Sequence, residues 1–426
     1  MRLRSLLCLC CFLAAGAIAQ ETAPPPAGLL IRNVTLIDGN GGAPTPHTDV
    51  FIRDGKIAAL ALPPGASPAL TLDGSGLYLT PGLIDAHVHL TGPSWPEVTA
   101  QLKKALRGGV TAVFDVAGDT RVTGSLARAQ LAGEIESPSI YYVALFGGRA
   151  FMSDPRTAEA SLGYPSGQAP WMRTIDGDTD VAMAVTLAHS TGAQAIKLYA
   201  ALDAAVIKRI GAEAQRQNVR LIAHAATFPG KPSDLVNAGV KYLAHAPYLV
   251  WEGMPPSADF KLRAKGDFAS VPADGPVMTR LLQSMKDNDV ALNPTLWIFG
   301  DGPSRSEPNP VRTAWMNRIT QRAQQMGVTI AAGVDSMTTP DDPLPMMHKE
   351  LETLVTGAGL TPLQAITAAT RGAAHAMGVD KVRGTVAPGM AADLVLVSAD
   401  PSQNIGNLRQ IRYVIKDGAL VVNKQP

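Results

Sequence analysis

The chain has 426 residues, 46% of them hydrophobic and 17% charged, with a formal net charge of +1. That balance suits a globular enzyme with a large core and gives no sign of a nucleic-acid or strongly acidic partner. The three cysteines all lie within the first eleven residues, so the remainder has neither thiol chemistry nor disulfides.

Arg2 and Arg4 precede an apolar run from Leu6 to Ile18, and Ala17-Ile18-Ala19 places small residues at cleavage spacing. This is the pattern of a secretory signal over residues 1–19, too short to span a bilayer. Cys8, Cys10 and Cys11 sit inside it and none ends a Leu-Ala-Gly-Cys-like box. The reading is therefore a free periplasmic or secreted protein without a membrane anchor, rather than a lipoprotein. Removing Arg2 and Arg4 shifts the net charge from +1 to −1. Residues 20–28, QETAPPPAG, form a Pro-rich polar spacer.

Between residues 29 and 79, LLIRNVTLID, DVFIRDGKIAAL and GLYLT cluster β-branched residues between Asp-Gly and Gly-rich turns; at the far end, within 383–426, AADLVLVSAD and IRYVIKDGALVV do the same. Neither set is large enough to fold alone, so the expectation is one small β-sandwich assembled from both chain ends. The middle, residues 80–382, alternates apolar runs with helical patterns: GLIDAHVHL, VTAVFDVA, SIYYVAL, AQAIKLYA, VRLIAHAA, VKYLAHAP, VALNPTL and VTIAAGVD. Eight strand candidates separated by crossover-length segments point to an α/β fold, a (β/α)8 TIM barrel. A doubly wound open sheet is the alternative, but no Gly-rich dinucleotide loop recommends it. The last helix is marked by Thr361 as N-cap, Pro362 at the first helical position, and a stop at Gly378.

Side chains alternate across a strand, which puts Asp85, His87 and His89 on one side and Ile84, Ala86 and Val88 on the other. The same alternation turns Lys197 and Tyr199 away from Ile196 and Leu198 and into the barrel. His224 and His245 end their apolar runs, and Asp335 follows Ala331 and Gly333, which are small enough to leave room. Each polar group falls at the C-terminal end of its strand, where barrel active sites are built. A single strand histidine is usually a satisfied structural group, an inward lysine can be half of an ion pair, and an aspartate can cap a turn. Convergence of all six makes one site the simpler explanation. His47, His189, His348 and His375 lack such placement and read as surface or structural.

Several imidazoles with a carboxylate suit zinc or a similar divalent ion. A lysine among them fits only if burial lowers its pKa, since the neutral amine can take up carbon dioxide as a carbamate, which can bridge two metals roughly 3.5–4 Å apart.

PGLIDAHVH, the lysine of AIKLYA, His224, His245, Asp335 in GVD, the TPLQAITAAT helix and the closing G-x-x-A-P-G-x-x-A-D-L-V-L block resemble the amidohydrolase superfamily in its binuclear, carboxylated-lysine branch, closest to imidazolonepropionase-like and prolidase-like hydrolases. The likeness runs from about Leu29 to the C-terminus. It implies that His87, His89 and Asp335 hold the more buried of two divalent ions, that His224 and His245 hold the more exposed one, and that carbamylated Lys197 bridges them. It further implies a metal-bridging hydroxide as nucleophile, with Asp335 shuttling the proton to the leaving nitrogen.

The chain departs from the prolidase-like pattern at Phe114-Asp115, where Arg-Asp is common, and at Leu243-Ala244-His245-Ala246-Pro247, where Glu-His-Gly is common. Both changes bear on substrate rather than metal. Tyr199 resembles a family tyrosine that hydrogen-bonds substrate, and is otherwise a barrel aromatic. Arg149, in FGGRAFMSD, offers a bidentate partner for a substrate carboxylate and is otherwise a solvated loop residue. Tyr248, Trp251 and Trp297 offer an apolar pocket wall or plain packing. The expected activity is hydrolysis of an amide in a small-molecule substrate, a dipeptide or N-acyl amino acid. The alternatives are a cyclic amidase or deaminase and a non-catalytic binding relative, and self-association of chains stays open.

Overall fold

The computed structural model describes residues 28–302, 309–336 and 343–423. The signal over 1–19 and nearly all of the spacer over 20–28 lie outside them. Among the described residues no helix is long and apolar enough to cross a membrane.

Five strands open the chain: β1 (Leu29–Leu36), β2 (Thr45–Arg53), β3 (Lys56–Ala59), β4 (Leu70–Asp73) and β5 (Tyr78–Pro81). The barrel strands follow as β6 (Leu83–Val88), β7 (Val110–Asp115) and β8 (Ser139–Gly147), with a short hairpin of β9 (Gln168–Ala169) and β10 (Met172–Thr174). They continue as β11 (Ala195–Leu198), β12 (Arg220–His224), β13 (Tyr242–Ala244) and β14 (Ala291–Asn293). Three more end the chain: β15 (Leu394–Val397), β16 (Ile411–Lys416) and β17 (Ala419–Asn423).

The strands from the two chain ends form one mixed sheet in the order β17-β16-β15-β5-β1-β2-β3, with β4 beside β1. The join is antiparallel pairing of β5 with β15, Leu79 opposite Leu396. Ile31, Val34, Val50, Ile57, Leu79, Leu394 and Ile415 share a core that neither end could bury alone. Two of its hairpins turn on Asp54-Gly55 and Asp417-Gly418, each with positive φ at both residues. That is the geometry that matches strand twist and that Asp-Gly tolerates best.

The middle of the chain builds a nearly closed parallel barrel of seven strands in the order β6-β7-β8-β11-β12-β13-β14. The eighth candidate, VTIAAGVD, is too irregular to count as a ladder strand, yet it closes the ring. Ala331 N donates to Leu292 O on one side, while Ala86 N donates to Ala332 O and Asp335 N to His87 O on the other. Inward residues such as Ile84, Ala112, Phe114, Ile222, Tyr242 and Ala331 fill the lower barrel. Alternate ones such as Leu83, Ile196, Leu221 and Leu243 pack outward among the helices.

The closing helix begins as its sequence indicates. The Thr361 hydroxyl accepts from Gln364 N while the Gln364 side chain accepts from Thr361 N, reciprocal caps worth about 1 kcal/mol. Its turn Ala368–Gly372 widens to a π-helix, and the Ala368 carbonyl accepts from Ala332 N of the barrel. Gly372 permits that approach, since a Cβ there would meet Ile330 O at 2.2 Å. The helix ends at Gly378 in the left-handed conformation.

One detail of the alternation differs from expectation. Ile84 and Ala86 face the barrel interior while Leu83 and Val88 face the helices. The register with β7 slips between Asp85 and Val88, a bulge that places two successive residues, Ala86 and His87, on the same face. Asp85 therefore points away from His87 and His89. Its buried carboxylate accepts from His87 N and Val334 N, both at 3.1 Å, and stitches β6 to the closing segment.

Candidate metal centre

Six side chains meet at the C-terminal mouth of the barrel. His87 ends β6, His89 lies just beyond it, Lys197 sits in β11, His224 ends β12, His245 follows β13 and Asp335 ends the closing segment. Asp335 Oδ1 lies 3.2 Å from His87 Nε2 and 3.0 Å from His89 Nε2. One donor atom from each of these three residues falls within 4.8 Å of the others, close enough to hold a metal ion. The His245 ring lies 4.8 Å from that of His87 and 4.5 Å from that of His224.

Two of these placements depend on backbone that L-residues avoid. His245 has φ +75° and Asp335 φ +54°, and in His245 this turns the side chain inward past the ordinary alternation; residues in such regions cost of order 1–3 kcal/mol and cluster at functional sites. Gly333 makes space, since a Cβ there would lie 2.7 Å from His87 N and 2.8 Å from Asn293 Nδ2.

The hydrogen bonds fix which ring nitrogen is free. His87 Nδ1 donates to Asn293 Oδ1 at 2.9 Å, because the Asn293 amide donates to Ala331 O. His89 Nδ1 donates to Ala117 O at 3.3 Å. His245 Nδ1 lies 2.9 Å from the Thr295 hydroxyl, which itself donates to Pro294 O. In His87 and His245 Nε2 therefore keeps its lone pair, while His89 Nε2 donates to the Asp335 carboxylate at 3.0 Å. His87 Nε2, poorly aligned with the nearby carboxylate, and His224 Nδ1 are buried without a hydrogen-bond partner. An orphaned buried acceptor costs roughly 1–3 kcal/mol, and a cation in the site would relieve it. The donor set therefore fits a divalent metal.

Electrostatics point the same way. Burial lowers His87 to about 4 and holds His224 and His245 well below the usual imidazole range, so these rings are neutral ligands at physiological pH. Burial also brings Lys197, 1% exposed, down to about 8, against the pull of Asp335 and Asp115. Burial pushes the Asp335 carboxyl up, but the imidazoles of His87 and His245 outweigh it and keep the group well below the carboxylate norm. Asp115, buried beside His89 and Lys197, is raised by burial to about 6.

Tyr199 and Tyr248 join the six. The Tyr199 ring lies 4.5 Å from His224 and 5.3 Å from Lys197 Nζ, and Tyr248 stacks on His224 at 5.0 Å. Phe260 leans on Tyr199 at 5.3 Å. Arg149 stands apart, with its side chain 83% exposed and paired to Asp176 at 2.6 Å. Arg156, seven residues on, instead directs Nη1 to the Tyr199 hydroxyl at 3.4 Å while Asp154 grips its other edge. Of the remaining four histidines, His47 bonds Asn33, buried His348 bonds Gly108 O, His375 pairs with Asp289, and His189 is exposed on the helix Val181–Ser190.

Sequence reasoning passed over Asn293, Thr295, Arg156 and Glu350. The first two carried a signal, since in VALNPTL the inward parity of Ala291 continues to Asn293. Arg156 and Glu350 carried none.

A model of the amidohydrolase family matches residues 78–421. A dihydroorotase from Pelotomaculum thermopropionicum is 41% identical over 88 residues, 20% of each chain. An allantoinase from Escherichia coli is 33% identical over 91 residues, 21% of this chain and 19% of that protein. The chain thus aligns with about a fifth of the length of these relatives. Among solved structures, an Xaa-Pro dipeptidase with bound methionine superposes with TM-score 0.71 at 20% identity, covering 93% of this chain and all of that one. An Aspergillus niger (A. niger) ochratoxinase gives 0.72 at 24%, covering 93% and 96%. A putative prolidase from Bifidobacterium longum gives 0.68 at 23%, covering 95% and 97%.

Proposed function

The chain belongs to the amidohydrolase family, and from that premise we propose that it is an exported two-metal hydrolase of amide bonds, acting on dipeptides or N-acyl amino acids. The observation that carries this reading is the convergence of four imidazoles, a buried lysine and an aspartate at one barrel mouth, with His87 Nε2 and His224 Nδ1 unpartnered. In it His87, His89 and Asp335 hold one ion, His224 and His245 the other, and Lys197 stands between them as a carbamate. Zinc best suits an imidazole-rich set with one carboxylate. Such a pair, when bound, polarises a carbonyl and makes water acidic enough to attack at neutral pH.

The chain's own groups do the rest. Asp335, ionised at neutral pH, takes the proton of the attacking water and returns it to the departing nitrogen. Tyr199 and Tyr248 orient the substrate over His224, while Phe151, whose ring lies 4.7 Å from Tyr199, Phe260, and Phe299, 5.4 Å from His245, exclude bulk water. Arg156 is the better receiver for a substrate carboxylate than Arg149. Arg156→Gln should lower kcat/KM about tenfold for carboxylate-bearing substrates, the worth of one partly solvated charge-assisted hydrogen bond. The matching C-terminal amides should be spared, which steady-state kinetics on paired substrates will show.

The short matches to a dihydroorotase and an allantoinase favour a second reading, hydrolysis of cyclic amides such as dihydroorotate or allantoin. One experiment separates them: metal analysis of the purified protein followed by a panel of dipeptides, N-acyl amino acids and cyclic amides. About two divalent ions per chain are expected, with activity on the linear amides lost on chelation and restored by zinc. Full activity without a divalent ion would end the proposal. Export rests on residues 1–19 and is tested by sequencing the mature N-terminus, expected near Gln20.

A further inference from the structure

We propose that Glu350 is a positioning residue for the metal centre, acting through Thr295 to fix the ring of His245 and with it the second ion position. The inference rests on the two-metal reading above. It starts from a buried acid that the proposed chemistry does not use.

Glu350 lies on the helix Met347–Thr356 and is 0% exposed. Its two carboxylate oxygens accept from two successive backbone groups across the barrel rim, Leu296 N at 2.9 Å and Trp297 N at 2.7 Å. Those groups open a short helix, Leu296–Phe299, whose preceding residue is Thr295. Thr295 has φ +51° and ψ 48°, left-handed backbone that a β-branched residue adopts only at a cost of about 1–2 kcal/mol. Something must hold it there, and the Glu350 carboxylate pins the two amides that follow.

What the strained conformation achieves is visible one bond away. The Thr295 hydroxyl gives its proton to Pro294 O and can only accept from His245 Nδ1. It therefore selects the tautomer that leaves His245 Nε2 free, as a ligand requires. Two residues earlier, Asn293 does the same for His87. Strand β14 and the turn that follows it thus supply no ligand yet carry a partner for one ligand of each proposed ion, at positions 293 and 295. Glu350 latches the end of that strip. A carboxylate suits the task because its two acceptors meet two parallel N–H groups, whereas a glutamine would set an NH2 against one of them.

The test measures ions rather than turnover alone. Bound ions per chain and chelator-competition affinities would be compared for wild type, Thr295→Val, Thr295→Ser and Glu350→Gln, with thermal unfolding of each metal-free protein alongside. The expected result is one tight ion in Thr295→Val and Glu350→Gln and a second weakened 10–100-fold, the usual effect of losing an outer partner. Thr295→Ser should restore the second ion, and Thr295→Val combined with Glu350→Gln should cost no more than the worse single change, since both act on one ring. Unchanged affinities, or equal weakening of both ions in step with a lowered Tm, would overturn the proposal. If Glu350→Gln does not fold, the Thr295 pair decides alone. A wild-type protein that binds no divalent ion would overturn the two-metal reading and this one together; a wild type with two ions and indifferent variants would overturn only this one.

Discussion

Lys197→Ala is expected to lower kcat/KM by about a thousandfold, ~4 kcal/mol of transition-state stabilisation, and to leave folded protein holding fewer than two ions. Burial brings Lys197 to about 8, so roughly a tenth of the amine is neutral at pH 7, against less than a thousandth for an ordinary lysine. Carbamate formation consumes that neutral form: the amine nitrogen bonds to the carbon of carbon dioxide and a proton leaves. It therefore gains as pH rises through about 8. Metal-free protein given zinc and bicarbonate should recover activity with a half-maximal pH near 8, rather than near 10.5. The same burial costs the metal-free fold ~3 kcal/mol below pH 8, because the unfolded lysine holds its proton more tightly than the folded one. Lys197→Met, which keeps the stem and drops the amine, should raise the Tm of metal-free protein while abolishing turnover. Wild-type turnover in Lys197→Ala would remove the bridging role.

Asp335→Asn should be nearly as damaging, about 10³–10⁴-fold in kcat/KM, since on the proposed two-metal reading one change removes an anionic ligand and the proton acceptor. The substitution isolates chemistry from folding. Asparagine keeps the shape and tolerates the φ of +54° that Asp335 adopts, and the backbone bond from residue 335 to His87 O is untouched. The unfolding temperature of the metal-free variant should fall somewhat, because the anionic charge that the imidazoles favour is lost, yet leave the protein folded while metal analysis reports a missing ion. A loss under tenfold with full metal content would deny Asp335 both roles.

Much of this architecture could be read from local pattern. Seven of the eight strand candidates and the Thr361-to-Gly378 helix depend on short-range signals, alternation and capping, which tertiary structure did not override; the eighth closes the ring without forming a ladder. Lys197, His224 and Asp335 followed from the same parity. Asp85 did not, because a bulge is a relation between two strands and one strand's sequence does not announce it. His245 reaches the centre through an unusual φ rather than through alternation. Arg156 and Glu350 act across 43 and 54 residues of chain, and such contacts exist only once the barrel has closed. Long-range hydrogen bonding supplies what periodicity cannot.

The seam between β5 and β15 governs how the protein can come into being. During synthesis β5 emerges with its edge bare, and its neighbour follows only after roughly 300 further residues, about 15–60 s of ribosome time. Throughout that interval an apolar ribbon that includes Leu79 invites pairing with other nascent chains. A holding chaperone should therefore raise the yield of soluble enzyme, and removal of the last three strands should send the product to inclusion bodies even though every side chain proposed to bind an ion is still present.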